Sequence, residues 1–137
     1  MRCVVDSSFV LAIVCPDEAT PASAEDVLEM DLVAPWLWAT EVAAAAQRIE
    51  RRRRFEGASA LQLCSAVEAI GVVVEPPNGV AAGLASPLAR LKLAEAHHLT
   101  PCDGAYLEMA LHRGLPLATQ DRHLIAAAER AGIPVYA

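Results

Sequence analysis

The stretch RCVVDSSFVLAIV, residues 2–14, decides the fold. Cys3, Val4 and Val5 are small or β-branched apolar residues, the composition of an interior strand too short to alternate, and Asp6 ends the run. Ser7 and Ser8 follow as candidate caps of a helix that stops near Pro16. A strand turning directly into a helix is the first half of a βα unit, and it leaves Asp6 at the carboxyl end of its strand.

The same alternation recurs along the chain. A second helix is expected over about 22–30, where Ala24, Val27 and Leu28 share one face. DLVAP (31–35) reads as a strand that feeds a long helix, with Pro35 near its start and Gly57 after its end. ASALQLCSAVEAI (58–70) is a helix stopped by Gly71, VVVE (72–75) a strand, PPNG (76–79) a turn, and about 80–96 a helix interrupted near Ser86-Pro87. TPCDGAYLEMALHRG (100–114) has a threonine cap, a proline in its first turn and a terminal glycine. LPLAT, DRHLIAAAERAG and IPVYA then give strand, helix and strand. Alternation of this kind predicts a three-layer α/β/α sandwich with a mostly parallel central sheet, as a single domain over residues 1–137. Ligands in such sheets bind beyond the carboxyl ends of the strands.

Composition narrows the function classes. At 137 residues the chain holds one core, and its 55% hydrophobic content is inflated by alanine, so several closely packed helices are expected. No run of eighteen or more apolar residues exists, and the start lacks the pattern of a signal peptide, so a cytoplasmic protein without a membrane span is expected. Cys3, Cys15, Cys64 and Cys102 form no CxxC pair, which favours reduced, mostly buried thiols over a zinc site. The formal charge of −6 gives no global attraction to nucleic acid, so such a partner needs a local basic patch.

Four acids stand out. Asp6 and Asp121 lie just past the ends of two predicted strands, and parallel strands put those ends on one edge. Glu41 falls in the first turns of the long helix amid Trp38, Ala39, Val42 and Ala43, and Asp103 lies two residues after Pro101. Burying an acid in an alanine-rich setting is costly without a partner. Arg2 and Arg122, beside Asp6 and Asp121, are the cations nearest in sequence. Carboxylates converging on one edge repel one another unless cations neutralise them, and oxygen-only ligation suits Mg²⁺ or Mn²⁺. Such ions activate water and steady a leaving oxyanion, so hydrolysis of a phosphodiester is the expected chemistry. Taken singly, the bland readings stand: Asp6, Asp103 and Asp121 as helix-start residues, Glu41 as a solvated one.

VVDSSFVLAIVCPDE, APWLWATEVA and TPCDGAYLEMALHRGLPLATQDRHLIAAAERAGI resemble, in order and spacing, the successive motifs of PIN-domain proteins, and specifically VapC-type toxins of toxin–antitoxin pairs. The resemblance runs the length of the chain and is weakest over 55–97. It implies a Mg²⁺- or Mn²⁺-dependent endoribonuclease, usually a homodimer, silenced by a cognate antitoxin. Carried over by position, the four catalytic acids are Asp6, Glu41, Asp103 and Asp121. The metal set is Asp6, Asp103 and Asp121, with Asp6 and Asp103 as direct ligands and Asp121, like Glu41, acting through a water or a second ion. Ser7, Ser8 and Thr119 stand where the family often has small hydroxyl residues that orient acids or waters, and simple helix capping is the alternative. Two departures matter: Ala44 stands where the family often has asparagine, and Gly104 replaces the usual alanine at a cost of about 1 kcal/mol in helix propensity. A catalytically silent RNA- or partner-binding module therefore stays open.

RIERRRRFEG places Arg48, Arg51, Arg52, Arg53 and Arg54 at a predicted helix end, as an RNA-phosphate patch, an antitoxin-docking surface, or a solvated face that complements the helix dipole. Of Trp36 and Trp38, at least one is expected in the core, and Tyr106 to Leu111 read as core or dimer contacts. His97, His98, His112 and His123 have no metal spacing. A receiver domain lacks its paired acids and late lysine here. A haloacid-dehalogenase-type phosphatase lacks its second aspartate, since Ser8 occupies that position.

Overall fold

The computed structural model describes residues 1–52, 59–76 and 86–137 of the chain. Strands β1 (Arg2–Val5), β2 (Asp31–Pro35), β3 (Val73–Glu75), β4 (Leu117–Ala118) and β5 (Val135–Tyr136) form one sheet in the order β3-β2-β1-β4-β5. Every pairing is parallel. Between them run α1 (Ser7–Val14), α2 (Ala24–Leu28), α3 (Trp38–Arg52), α4 (Ala60–Ile70), α5 (Pro87–Ala96), α6 (Pro101–Arg113) and α7 (Arg122–Arg130). Helix α1 packs with α3 and α4, whereas α6 lies on β1, β2 and β4 and packs with α5 and α7. The result is the α/β/α sandwich expected from the alternation, with a sheet that is parallel throughout.

Strand position explains composition. β1 is central, and Cys3, Val4 and Val5 are fully buried, each valine contributing on the order of 2 kcal/mol by leaving water. β3 is an edge, so Val73 and Val74 remain 56% and 42% exposed although their sequence reads as strongly as that of β1. Among the described residues no helix is long and apolar enough to cross a membrane. All four cysteines are free. Cys3 and Cys15 are buried, Cys64 is half-buried and Cys102 is exposed, which departs from the expectation for that one thiol.

Several boundaries moved for local reasons. Asp6, not Ser7 or Ser8, caps α1: its backbone is extended (φ −94°, ψ 170°) and its carboxylate accepts the Phe9 N–H. The second helix is short, Ala24–Leu28. Pro35 closes β2 and α3 begins at Trp38. The capping box of Ser59 and Gln62 starts α4, and Gly71 ends it in the left-handed region (φ 80°), where a Cβ is strained. Arg2 does not neutralise the acids near β1; it pairs with Glu75 of β3, which also pairs with Arg113 of α6. Arg122 is exposed. Arg53, Arg54, the PPNG turn beyond Pro76 and the start of the 80–96 helix lie outside the described residues.

Gly104 is buried in α6 against α5. A Cβ there would meet Ala94 Cα at 3.7 Å, Leu93 Cδ2 at 3.8 Å and Ala94 Cβ at 3.9 Å, ordinary contact distances. Gly104→Ala is therefore expected to stabilise the fold by about 0.5–1 kcal/mol and raise Tm by a few degrees. A lowered melting temperature by calorimetry would show instead that the α5–α6 contact cannot yield.

Candidate active site

The sheet order puts β1 between β2 and β4, so the chain leaves β1 in one direction and returns on its other side. The carboxyl ends of β1 and β4 thus flank the switch point where such sheets hold ligands. Val5 pairs with Ala118, the Asp6 N–H reaches Ala118 O at 3.1 Å, and Thr119 N–H reaches Tyr136 O at 3.0 Å. Asp6 and Thr119 consequently stand side by side beyond the last rungs of the ladder.

Asp6 is 4% exposed, and both its oxygens accept. Oδ1 takes the Ser8 hydroxyl at 2.6 Å and the Phe9 N–H at 3.1 Å, and Oδ2 takes the Thr119 hydroxyl at 2.6 Å. Each hydroxyl is itself oriented: Ser8 Oγ accepts the Gln120 N–H at 2.9 Å, and Thr119 Oγ1 accepts the Asp121 N–H at 3.0 Å. This is a setting for an ionised carboxylate. Burial nevertheless pushes its carboxyl up to about 6, against those donors and with a further push from the charge of Asp103. The geometry and the solvation pull in opposite directions, a conflict that a bound cation relieves. Of the three hydroxyl residues expected to support the acids, Ser8 and Thr119 do so. Ser7, half-buried at the first position of α1, makes no side-chain hydrogen bond among the described residues.

The other acids arrive on helix starts. Asp121 caps α7 with one oxygen, Oδ1, which accepts the His123 and Leu124 N–H groups at 2.8 and 2.9 Å. The capping role foreseen for it is real and leaves its second oxygen outside the cap. Asp103 does not cap α6. Thr100 does, accepting the Asp103 N–H at 3.2 Å, and the Asp103 side chain is half-buried. Burial raises its carboxyl above the ordinary range, and the charge of Asp121 adds to this, with Thr100 and His123 opposing. Glu41, half-buried in the first turn of α3, is raised by burial and by Asp103, while the Tyr106 hydroxyl, Cys102 and Arg48 pull it down.

Asp103 is therefore the hub: Asp6, Glu41 and Asp121 are each coupled to it. Among the described residues no three His, Cys, Asp or Glu side chains close on one point; what links the four acids is charge, which Asp103 shares with each of the other three. Their carboxylate oxygens are of the hard type that Mg²⁺ and Mn²⁺ take, and their mutual repulsion, only partly offset by Arg48 and His123, fits a divalent cation.

Sequence reading missed several neighbours. Tyr106 is buried as expected of a core residue, yet its hydroxyl donates to Glu41 Oε1 at 2.5 Å, and burial and Glu41 drive that hydroxyl far above its ordinary proton affinity. The signal was available, since Tyr106 follows Asp103 by one helical turn. Cys102 touches the same cluster, its thiol raised by burial and by the charges of Glu41 and Asp103. Arg48 follows Glu41 by two turns of α3, which brings its charge to bear on that carboxyl. Arg48, Arg51 and Arg52 are all exposed. Trp38 is buried and Trp36 exposed, in keeping with one core tryptophan.

Known proteins bear on this arrangement. The family model described as PIN domain matches residues 3–130. Among solved structures, PAE2754 from Pyrobaculum aerophilum is similar at a TM-score of 0.68 and 23% identity, over 98% of this chain and 83% of that one. FitAcB from Neisseria gonorrhoeae is similar at a TM-score of 0.55 and 17% identity, over 98% and 96%. FitAB bound to an IR36 DNA fragment is similar at 0.55 and 16%, over 98% and 93%. No curated protein sequence matches the chain. At these identities the structures speak for the fold alone. The family match extends from β1 through α7 and takes in all four acids; on it, this chain belongs to the PIN-domain family.

Proposed function

We propose that this chain is a divalent-metal-dependent endoribonuclease, the toxin of a toxin–antitoxin pair, with Asp6, Glu41, Asp103 and Asp121 as its catalytic acids. The observation that carries the reading is the coupling of three acids to Asp103 at the switch point, with Asp6 locked as an acceptor in a setting that resists its charge. PIN domains in general are nucleases that use divalent ions, which supports the class of chemistry.

Asp6 and Asp103 are the direct ligands in this reading, with Asp121 and Glu41 reaching the ion through water or a second ion. Mg²⁺ or Mn²⁺, when bound, supplies an activated water and offsets charge on the phosphodiester. Ser8 and Thr119 hold the plane of Asp6, so that its carboxylate is aimed before substrate arrives. Arg48, Arg51 and Arg52 give an acidic chain the local positive charge that RNA needs. The antitoxin, the homodimer and the cytoplasmic setting rest on the resemblance to VapC-type toxins. The silent-module reading draws on Ala44, where the family often has asparagine, and on the fact that no three acidic side chains close on one point among the described residues.

One assay separates the two. Purified protein, stripped of any bound antitoxin, is expected to cut RNA with Mg²⁺ or Mn²⁺ and to lose that activity with chelator or as Asp6→Asn. If wild type and Asp6→Asn are equally inert over a panel of transfer, ribosomal and messenger RNAs with both ions, the binding-module reading stands in its place. Expression of the wild type alone is further expected to arrest growth, whereas acid variants at matched protein levels do not. Equal growth curves would remove the toxin role.

A further inference from the structure

Tyr106 sits in the wrong place for an ordinary core tyrosine. Its ring is 1% exposed and belongs to the apolar core, while its one polar atom leaves that core to donate to Glu41 Oε1 at 2.5 Å. The two residues come from different elements: Glu41 from the first turn of α3 after β2, Tyr106 from α6, which lies across β1 and β2. On α6 it stands one turn beyond Asp103, so a single helix face presents both the hub acid and the donor that restrains Glu41. Glu41 has three rotatable side-chain bonds and lies beside another acid; without a fixed donor, repulsion from Asp103 favours rotamers that swing it away.

We propose that Tyr106 is a positioning residue of the active site: its hydroxyl pins Oε1 of Glu41 so that the remaining oxygen stays turned toward the ion held at Asp103. This inference rests on the nuclease reading and adds to it a residue outside the four acids. A hydrogen bond between a donor and a carboxylate is among the stronger ones, and here the Tyr106 hydroxyl is the donor at 2.5 Å. The ring's packing and the hydroxyl's bond are separable, since phenylalanine fills the same space and removes only the oxygen.

The test is a double-mutant cycle on the full chain, with Mn²⁺ affinity measured by electron paramagnetic resonance and RNA cleavage measured in parallel. Tyr106→Phe is expected to keep the wild-type circular dichroism and to weaken Mn²⁺ binding about tenfold, as loss of a supporting contact to a metal site commonly does. It is also expected to lower kcat with little change in KM for RNA. In a Glu41→Ala background the same change should cost less than about twofold, because nothing is left to position. An undiminished loss in that background means that Tyr106 acts through packing, and the proposal fails. Unchanged Mn²⁺ affinity and kcat in Tyr106→Phe, with an active wild type, overturn the positioning role and leave the nuclease reading intact. A wild type that binds no Mn²⁺ and cuts no RNA brings down both.

Discussion

Asp103→Asn is expected to lower the single-turnover rate of RNA cleavage by about a thousandfold or more, near 4 kcal/mol of transition-state stabilisation. No other acid occupies its position. Asp6 is fixed by Ser8 and Thr119, and Asp121 by its cap on α7. Asp103 alone is coupled to all three remaining acids. The amide keeps size and polarity but removes the charge, so the loss should appear with the fold intact; removing mutual repulsion should even raise Tm in metal-free protein. Activity within tenfold of wild type, at saturating Mg²⁺ or Mn²⁺, would mean that these four acids are not the reacting centre.

The second large effect is on stability. The Asp6 carboxyl, ordinarily at 3.8, stands at about 6 in the fold, chiefly through burial. A folded state that holds a proton more tightly than the unfolded chain is most stable where that proton is present. The contribution is thus complete below about pH 4 and is lost as the pH rises through 6. The difference is on the order of 3 kcal/mol between pH 4 and pH 7.5, and the upward shifts of Glu41 and Asp103 act in the same sense. Metal-free protein is accordingly expected to melt lower at pH 7.5 than at pH 5, by roughly 5 °C from Asp6 alone. Mn²⁺ should restore much of this at pH 7.5, where the carboxylates are ionised, and little at pH 5, where protons compete. Asp6→Asn should flatten both dependences. Melting curves for the variant that track the wild type at every pH, with and without Mn²⁺, would place the charge conflict somewhere other than Asp6.

The fold was legible because its signals are local. Three apolar residues before Asp6, the Thr100-Pro101 start and Gly114 end of α6, and Gly71 after α4 each act through the adjacent backbone, and each element formed where those residues put it. Helix starts slipped where two residues could compete: Asp6 displaced Ser7 and Ser8 as the cap because it was already extended at the strand's end. The placing of Asp6 and Asp121 along one edge was legible through strand direction, since parallel strands share an edge. What could not be read were partners chosen by tertiary packing. Arg2 was taken by Glu75 on a strand two positions away in the sheet, and Tyr106 of α6 reached Glu41 of α3. Spacing along one helix hints at such contacts, but only the packing of α6 on β1 and β2 decides them.

Strand order also governs how the chain is made. β1 is synthesised before the other strands of the sheet yet ends in its middle, and the edge it offers to β4 stays open until Leu117 and Ala118 are synthesised. Until then a strand whose Cys3, Val4 and Val5 are apolar has one unsatisfied row of backbone groups, the kind of surface on which nascent chains aggregate or recruit chaperones. Because Thr119 and Asp121 follow that same late strand, Asp6 has neither its Thr119 donor nor Asp121 beside it until β4 and the residues after it have left the tunnel.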